Sequence, residues 1–269
     1  MNEAINISGM MTAAQASEVL GVGVHNVGRL VREGELSCVR TAGNAMLIPA
    51  VEVQSYAQLR QGKGRPLAPA TAMAALWELS GIKADWLDYA HARRLRKRLA
   101  SVSPDDLVWQ ARKRAHVATF RCDASFLETA AGMAALSGRS CLDEFGLVGN
   151  SDALEGYVRA EDLKAVVEAC YMMPDPAGNV VLHVAEWMPE GVGMAMPSAV
   201  CAADLAASLD ARERRAGLSA LEEMLDGYSR SLDPNARTLA AIDDAAAGRV
   251  TGPFSSVGDM LASLDEDER

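Results

Sequence analysis

TAAQASEVLGVGVHNVGRLVREGELSCVRTAGNAMLIPAVEVQSYAQL, residues 12–59, is the stretch that decides the fold of the N-terminal part of the chain. Thr12 is a typical N-cap for a short first helix, and the glycines at 21–23 end that helix. Apolar residues at helical spacing predict a second helix over residues 24–33, which Gly34 stops. The stretch therefore begins with two short helices joined by a tight turn.

Two short apolar runs follow the helices, at residues 36–40 and 45–48. The sequence Thr-Ala-Gly-Asn at 41–44 separates them, and such a turn between two apolar runs predicts a β-hairpin. Pro49 suits the first position of a third helix, which we expect to run to about Arg60. The predicted order is helix, turn, helix, hairpin, helix.

This order of elements indicates DNA binding. A second helix behind a tight turn can enter the major groove, and a hairpin can serve as a wing near the backbone or the minor groove. Asparagine side chains pair with adenine, and arginine side chains pair with guanine or phosphate. The candidate DNA-binding residues on the second helix and the hairpin are His25, Asn26, Arg29, Arg32, Arg40 and Asn44.

Residues 11–60 resemble the MerR/excisionase type of winged helix-turn-helix, including the REGEL link at 32–36 between the recognition helix and the wing. The resemblance implies a transcription regulator that binds duplex operator DNA. A small helical domain that binds only protein remains the alternative. Because the recognition helix is only mildly basic, we expect a monomer to bind weakly and a homo-oligomer to bind better.

Charge is divided unevenly along the chain. The net charge is −10, but residues 1–121 carry +6 and residues 122–269 carry −16. The basic N-terminal half is therefore expected to contact the phosphates of a nucleic acid. The acidic C-terminal half is expected either to bind a basic protein partner or to form a solvated surface.

The run HARRLRKR at 91–98 is the densest cluster of cations. It predicts further contacts with DNA phosphates through Arg93, Arg94, Arg96 and Lys97. The cations at 112–114 would extend the same track. The alternative is a solvated helix face, because Leu95 and Leu99 supply an apolar stripe.

The remaining pattern predicts a mainly α protein in three parts. These are a winged helix-turn-helix domain at 1–62, a mostly helical middle domain with a few strands at 63–228, and an extended acidic segment at 229–269. Within the middle domain we expect helices over 70–79, 84–99, 105–116, 202–209 and 213–228, short helices between 120 and 150, and a strand over 179–185.

The sequence predicts no catalytic function. It contains no phosphate-binding loop, HExxH or GxSxG motif, and its four histidines lack metal-ligand spacing. Five single cysteines suggest neither a zinc site nor a disulfide framework. No long apolar run or secretory signal is present, so we expect a cytoplasmic protein without membrane contact, metal or cofactor.

Four segments of the middle region resemble AbiEi-like antitoxins, a group of actinobacterial helix-turn-helix proteins often encoded beside a nucleotidyltransferase-type toxin. They are GRPLAPATAMAALWELSG (64–81), RRLRKRL (93–99), EGYVRAEDLKAVVEACYMMPDPAGNVVLHV (155–184) and CAADLAASLDARERRAGLSALEEML (201–225). The similarity is one of overall pattern and includes no single diagnostic residue.

The C-terminal stretch DPNARTLAAIDDAAAGRVTGPFSSVGDMLASLDE, residues 233–266, resembles the toxin-binding segment of RelB/DinJ-type antitoxins. Spaced apolar residues in an acidic chain can fold into a groove on a partner, and the acid complements a basic toxin. A terminal helix docked on its own domain is the alternative. The candidate toxin-binding residues are Leu239, Ile242, Phe254, Val257, Met260, Leu261 and Leu264. RelB-type antitoxins usually begin with a ribbon-helix-helix, whereas this chain begins with a winged helix.

Together these features predict a type II antitoxin that neutralises a RelE-superfamily toxin and represses its own operon. The expected partners are the cognate toxin and operator DNA, in a homo-oligomer or a toxin–antitoxin hetero-oligomer. Two alternatives remain: an AbiEi-like antitoxin to a nucleotidyltransferase toxin, and a ligand-sensing transcription factor without a toxin partner. A closed apolar pocket in the middle domain would favour the sensor.

Overall fold

A computed structural model describes residues 9–41, 43–60, 62–149 and 152–232. The chain divides into two compact units, residues 1–225 and 226–269. The predicted toxin-binding residues, from Leu239 to Leu264, lie outside the described residues.

The N-terminal part, which we call the head, has the predicted helix-turn-helix and wing. Its elements are β1 (Met10–Thr12), α1 (Ala13–Leu20), α2 (Val24–Arg32), β2 (Val39–Arg40), β3 (Met46–Pro49) and α3 (Ala50–Leu59). Thr12 caps α1 in a reciprocal capping box with Gln15, and Gly21 ends it at φ +62°. The three strands form an antiparallel sheet in the order β1-β3-β2. Strand β1 was not predicted, but the rest of the order is confirmed.

The middle region, which we call the body, combines helices with a five-stranded sheet. Its helices are α4 (Pro69–Leu79), α5 (Tyr89–Leu99), α6 (Pro104–Ala111), α7 (Leu127–Met133), α8 (Leu163–Ala169), α9 (Ser198–Ala206) and α10 (Ala211–Leu232). Its strands are β4 (His116–Arg121), β5 (Ala135–Leu136), β6 (Leu154–Arg159), β7 (Met173–Pro174) and β8 (Val180–Ala185). Helices form the larger part of the described chain, which agrees with a mainly α protein.

The body sheet has the order β5-β6-β8-β4-β7, with β6 and β8 parallel and the other pairs antiparallel. An apolar core joins α7 and α8 to this sheet through residues such as Leu127, Val166 and Leu182. On α9, every residue from Ala199 to Ala206 is buried. Helix α10 approaches α9 closely at Gly217, where a Cβ would lie 2.4 Å from the carbonyl oxygen of Ala202.

The structure changes the bounds of two expected helices of the body and adds strands that were not expected. The helix predicted over 84–99 begins only at Tyr89, because Asp88 caps it. The helix predicted over 105–116 gives way to a 3-10 turn at Arg112, and His116 begins β4. The strand predicted over 179–185 is confirmed as β8. Strands β4 and β6 were missed because their pairing partners come from distant parts of the chain.

A buried polar network joins α9 to the sheet. Asp204 on α9 accepts hydrogen bonds from the guanidinium of Arg114, from the hydroxyl of Tyr157 and from the hydroxyl of Ser137. Arg114 also donates from Nε to the Tyr157 hydroxyl at 2.7 Å. Removing one partner of a buried ion pair typically costs about 3–5 kcal/mol.

His183 completes the charge balance of this network. Its Nε2 lies 2.8 Å from Oε1 of Glu155 and 3.7 Å from Oδ1 of Asp204, and its ring stacks on Tyr157. The cluster contains the two carboxylates of Glu155 and Asp204 and the one guanidinium of Arg114. A proton on His183 would therefore make the net charge of the cluster zero. Burial alone would lower the pKa of His183, but Asp204 and Glu155 outweigh burial and raise that pKa above its ordinary value.

We predict that the free energy of unfolding falls as the pH rises from neutral into the alkaline range. The folded-state pKa of His183 lies above the unfolded-state value of about 6.5, so protonation stabilises the fold fully below that pH. This stabilisation is lost as the pH rises through the folded-state pKa. Urea titrations at several pH values measure the slope of the free energy of unfolding against pH.

The variant His183→Gln cannot titrate and should flatten this slope. His25→Gln is the matched control, because His25 is exposed on α2 and should leave the slope unchanged. Equal slopes in both variants and in the unsubstituted chain would show that His183 is not the titrating group.

Candidate nucleic-acid interface

Helix α2 presents the polar face that a recognition helix requires. Val27 and Leu30 are buried against the head core. The four predicted DNA-binding residues of this helix all lie on the exposed side: His25, Asn26, Arg29 and Arg32. Amide and guanidinium groups on one exposed helix face can reach base edges and phosphates.

Arg29 is held by a partner that it can exchange. Its Nη1 lies 3.2 Å from Oε1 of Glu33, one helical turn further on, and both side chains are about half exposed. Exposed pairs of this kind are worth only about 0–1 kcal/mol, so little is lost when Arg29 turns from Glu33 to DNA.

The wing is a tight hairpin with the two predicted wing residues in contact. Val39 and Arg40 pair with Leu47 and Met46. Asn44 adopts a left-handed conformation at φ +58°, and its N–H donates to the carbonyl of Thr41. Asparagine tolerates this conformation better than most residues. Arg40 donates from Nη1 to Oδ1 of Asn44 at 3.0 Å, and both residues are exposed.

Helix α5 carries the basic run on its outer face. Leu95 and Leu99 are buried, as the apolar stripe predicts. Four cations are exposed to solvent: Arg93, Arg94, Lys97 and Arg98. Arg96 differs, because its guanidinium lies 3.5 Å from the carboxylate of Glu78 on α4 and is partly buried. Phosphate contact by the exposed cations stays a prediction, and Arg96 is engaged within the body.

The expected extension of the phosphate track through residues 112–114 is wrong for Arg112 and Arg114, whose side chains are buried. Arg112 makes two hydrogen bonds of 3.1 Å to Glu35 and lies over the ring of Trp109. Lys113 also pairs with Glu35, at 2.7 Å, and Arg114 is buried in the network with Asp204. All three cations contact the chain's own carboxylates.

Glu35 ties the head to the body. It lies in the link between α2 and the wing, and its side chain is only 9% exposed. Burial alone would raise the pKa of Glu35, but hydrogen bonds from Lys113 and Arg112 outweigh it and lower that pKa. Glu35 therefore stays a carboxylate, and the sequence offers no local sign of this role.

Helix α3 adds further contacts between head and body. Tyr56 meets Trp109 of α6 edge to face, with 5.6 Å between ring centroids. Gln58 donates from Nε2 to the carbonyl of Ser208 at 2.8 Å. With the Glu35 ion pairs, these contacts fix the direction in which α2 points.

One group of three side chains in the described part of the chain could offer metal ligands. The ligand atoms of Glu155, His183 and Asp204 lie within 4.8 Å of one another. The oxygens of Asp204 already accept three hydrogen bonds, and the guanidinium of Arg114 would repel a divalent cation there. Asp204 and Glu155 also raise the pKa of His183, so a proton on its ring competes with a metal ion for this place.

Comparison with known proteins identifies the head. Residues 10–60 match the family described as a helix-turn-helix domain. No curated protein matches the chain, and no solved structure does. The chain therefore carries a helix-turn-helix domain, as DNA-binding regulators do. None of the helices in the described ranges is long and apolar enough to cross a membrane.

We predict that Arg29→Ala weakens binding to the promoter of the chain's own gene by about 1–3 kcal/mol, because a base contact is lost. Fluorescence anisotropy with a labelled promoter fragment measures the change. Lys164→Ala is the matched control, since Lys164 is an exposed cation with its own i,i+4 partner, Glu168. It should bind like the unsubstituted chain.

Neutralising the exposed cations of α5 should affect DNA binding differently from Arg29→Ala. It should weaken binding to every DNA sequence alike and flatten the salt dependence, because phosphate contacts carry no sequence information. Unchanged affinity in the Arg29→Ala/Arg32→Ala variant would remove the assignment of α2 as the recognition helix. If the α5 variant has the same dependence of affinity on salt concentration as the unsubstituted chain, the cations of α5 are only a solvated helix face.

Proposed function

We propose that this chain is a type II antitoxin that represses its own operon through the head and neutralises a RelE-superfamily toxin through its C-terminal segment. The observation that carries the regulatory half is the helix-turn-helix domain at 10–60, with α2 exposing two arginines, an asparagine and a histidine. Both activities are binding activities, so the proposal includes no catalytic step.

The DNA-binding half needs more positive charge than one recognition helix provides. Only Arg29 and Arg32 are cationic on the exposed face of α2. The exposed cations of α5 add four charges, and a second copy of the chain would double the total. We therefore propose a homo-oligomer or a toxin–antitoxin hetero-oligomer on a two-fold operator.

The toxin-binding half rests on residues 233–269, which contain eight acidic and three basic residues. Their resemblance to RelB/DinJ-type segments supports a basic toxin as the partner. Phe254 is the largest apolar side chain of this segment and is the proposed central anchor.

An AbiEi-like antitoxin is the second candidate, favoured by the resemblance of residues 65–228 to that group. In that case the body would carry neutralisation. The open pocket with charged walls between α4 and the loop after β8 does not by itself favour the sensor alternative. A closed apolar pocket would have favoured it.

We predict that a chain ending at Leu232, which keeps the whole of α10, fails to rescue cells that express the toxin encoded beside this gene. Loss of the acidic segment removes the toxin contacts, and growth on inducing medium measures rescue. Phe254→Ala in the full chain should weaken toxin affinity by at least about 2 kcal/mol.

The Arg29→Ala/Arg32→Ala variant is the matched control. It should rescue growth fully while losing repression of the promoter, because the two activities lie on separate segments. Equal rescue by the shortened chain would place neutralisation in the body and replace the RelB-like proposal with the AbiEi-like one.

A further inference from the structure

Three of the four tryptophans of the chain gather around one open cavity of about 910 Å³. Trp77 and Trp86 come from the end of α4 and the segment after it, and Trp187 comes from the loop between β8 and α9. The volume lies within the range of small-ligand sites, about 300–1,000 Å³. We call this cavity the tryptophan pocket.

The aromatic rings are held in place before any ligand arrives. Trp86 donates from Nε1 to the carbonyl of Ala70 at 3.0 Å. Its ring meets Trp77 edge to face at 5.8 Å and Trp187 at 5.2 Å between centroids, with a 53° tilt. Fixed rings lose little conformational entropy on binding, which favours affinity.

Both cations that line the pocket have partners within the chain, and the three carboxylates of the lining outnumber them. Lys83 pairs with Asp85 at 3.4 Å. Arg159 donates to the carbonyls of Met188 and Pro189, at 3.1 and 3.0 Å, and thereby holds the loop that forms one wall.

Two carboxylates remain at the pocket. Glu186 and Glu190 line it, and both residues are exposed to solvent. An anionic ligand would meet these two charges, whereas a cationic ligand would be attracted by them and by the electron-rich ring faces.

We infer that the tryptophan pocket binds an ammonium or guanidinium group, with the rings of Trp86 and Trp187 contacting the cation and Glu186 and Glu190 balancing its charge. The cation can belong to a free small molecule or to a lysine or arginine side chain of another protein. This site is independent of the DNA-binding surface, because it shares no residue with α2, the wing or α5.

Intrinsic tryptophan fluorescence of the full chain tests the inference at constant ionic strength. The probes are choline, its neutral isostere 3,3-dimethylbutan-1-ol, arginine methyl ester and the blocked peptide acetyl-Gly-Arg-Gly-amide. We expect a saturable change with the cations and none with the neutral isostere. Saturation by the free cations indicates a small-molecule ligand, and saturation by the peptide alone indicates a protein partner.

Variants assign the response to the pocket. Glu186→Gln/Glu190→Gln should raise the apparent Kd for the binding cation about five-fold, and Trp187→Phe should weaken binding while leaving the fold intact. Trp109→Phe is the matched control, because Trp109 lies at the contact between head and body, away from the pocket. An absent response, an equal response to the neutral isostere, or an unchanged Kd in the double glutamine variant would overturn the inference.

Discussion

The buried contact between Arg114 and Asp204 is the interaction on which the other contacts of the body depend. It anchors α9, whose residues from Ala199 to Ala206 are all buried, and α10 packs on α9 in turn. Arg112 and Lys113, the two residues before Arg114, hold Glu35 of the head. One three-residue segment therefore joins the helices to the sheet on one side and the head to the body on the other.

This arrangement gives the DNA-binding head a fixed orientation. Glu35 lies shortly after the end of α2, and its carboxylate is shielded from water and held by two cations, so salt screens these pairs less than exposed ones. Tyr56 and Gln58 add contacts from α3 to the body. The exposed face of α2 is thus connected to the body through buried ion pairs and an aromatic contact as well as through the chain.

Local signals predicted the helices and the hairpin of the head, because these depend on short-range chemistry, whereas strand β1, which pairs with the distant β3, was missed. Thr12, Gly21 and the turn at 41–44 set the boundaries of the predicted elements. The body depends on partners far apart in sequence. A run of cations at 112–114 looks the same whether it faces phosphate or a carboxylate, and the partners Glu35 and Asp204 lie 77 and 90 residues away. In the pocket, Trp187 likewise comes from a part of the chain far from Trp77 and Trp86.

Sequence-selective DNA binding by the full chain is the central claim, and a paired anisotropy titration tests it most directly. One duplex carries the promoter of the chain's own gene, and the other is a shuffled sequence of equal length and base composition. We predict that the promoter binds at least about 10³-fold more tightly at physiological salt, as specific regulators do. Equal affinity for both duplexes across the salt range would contradict the account.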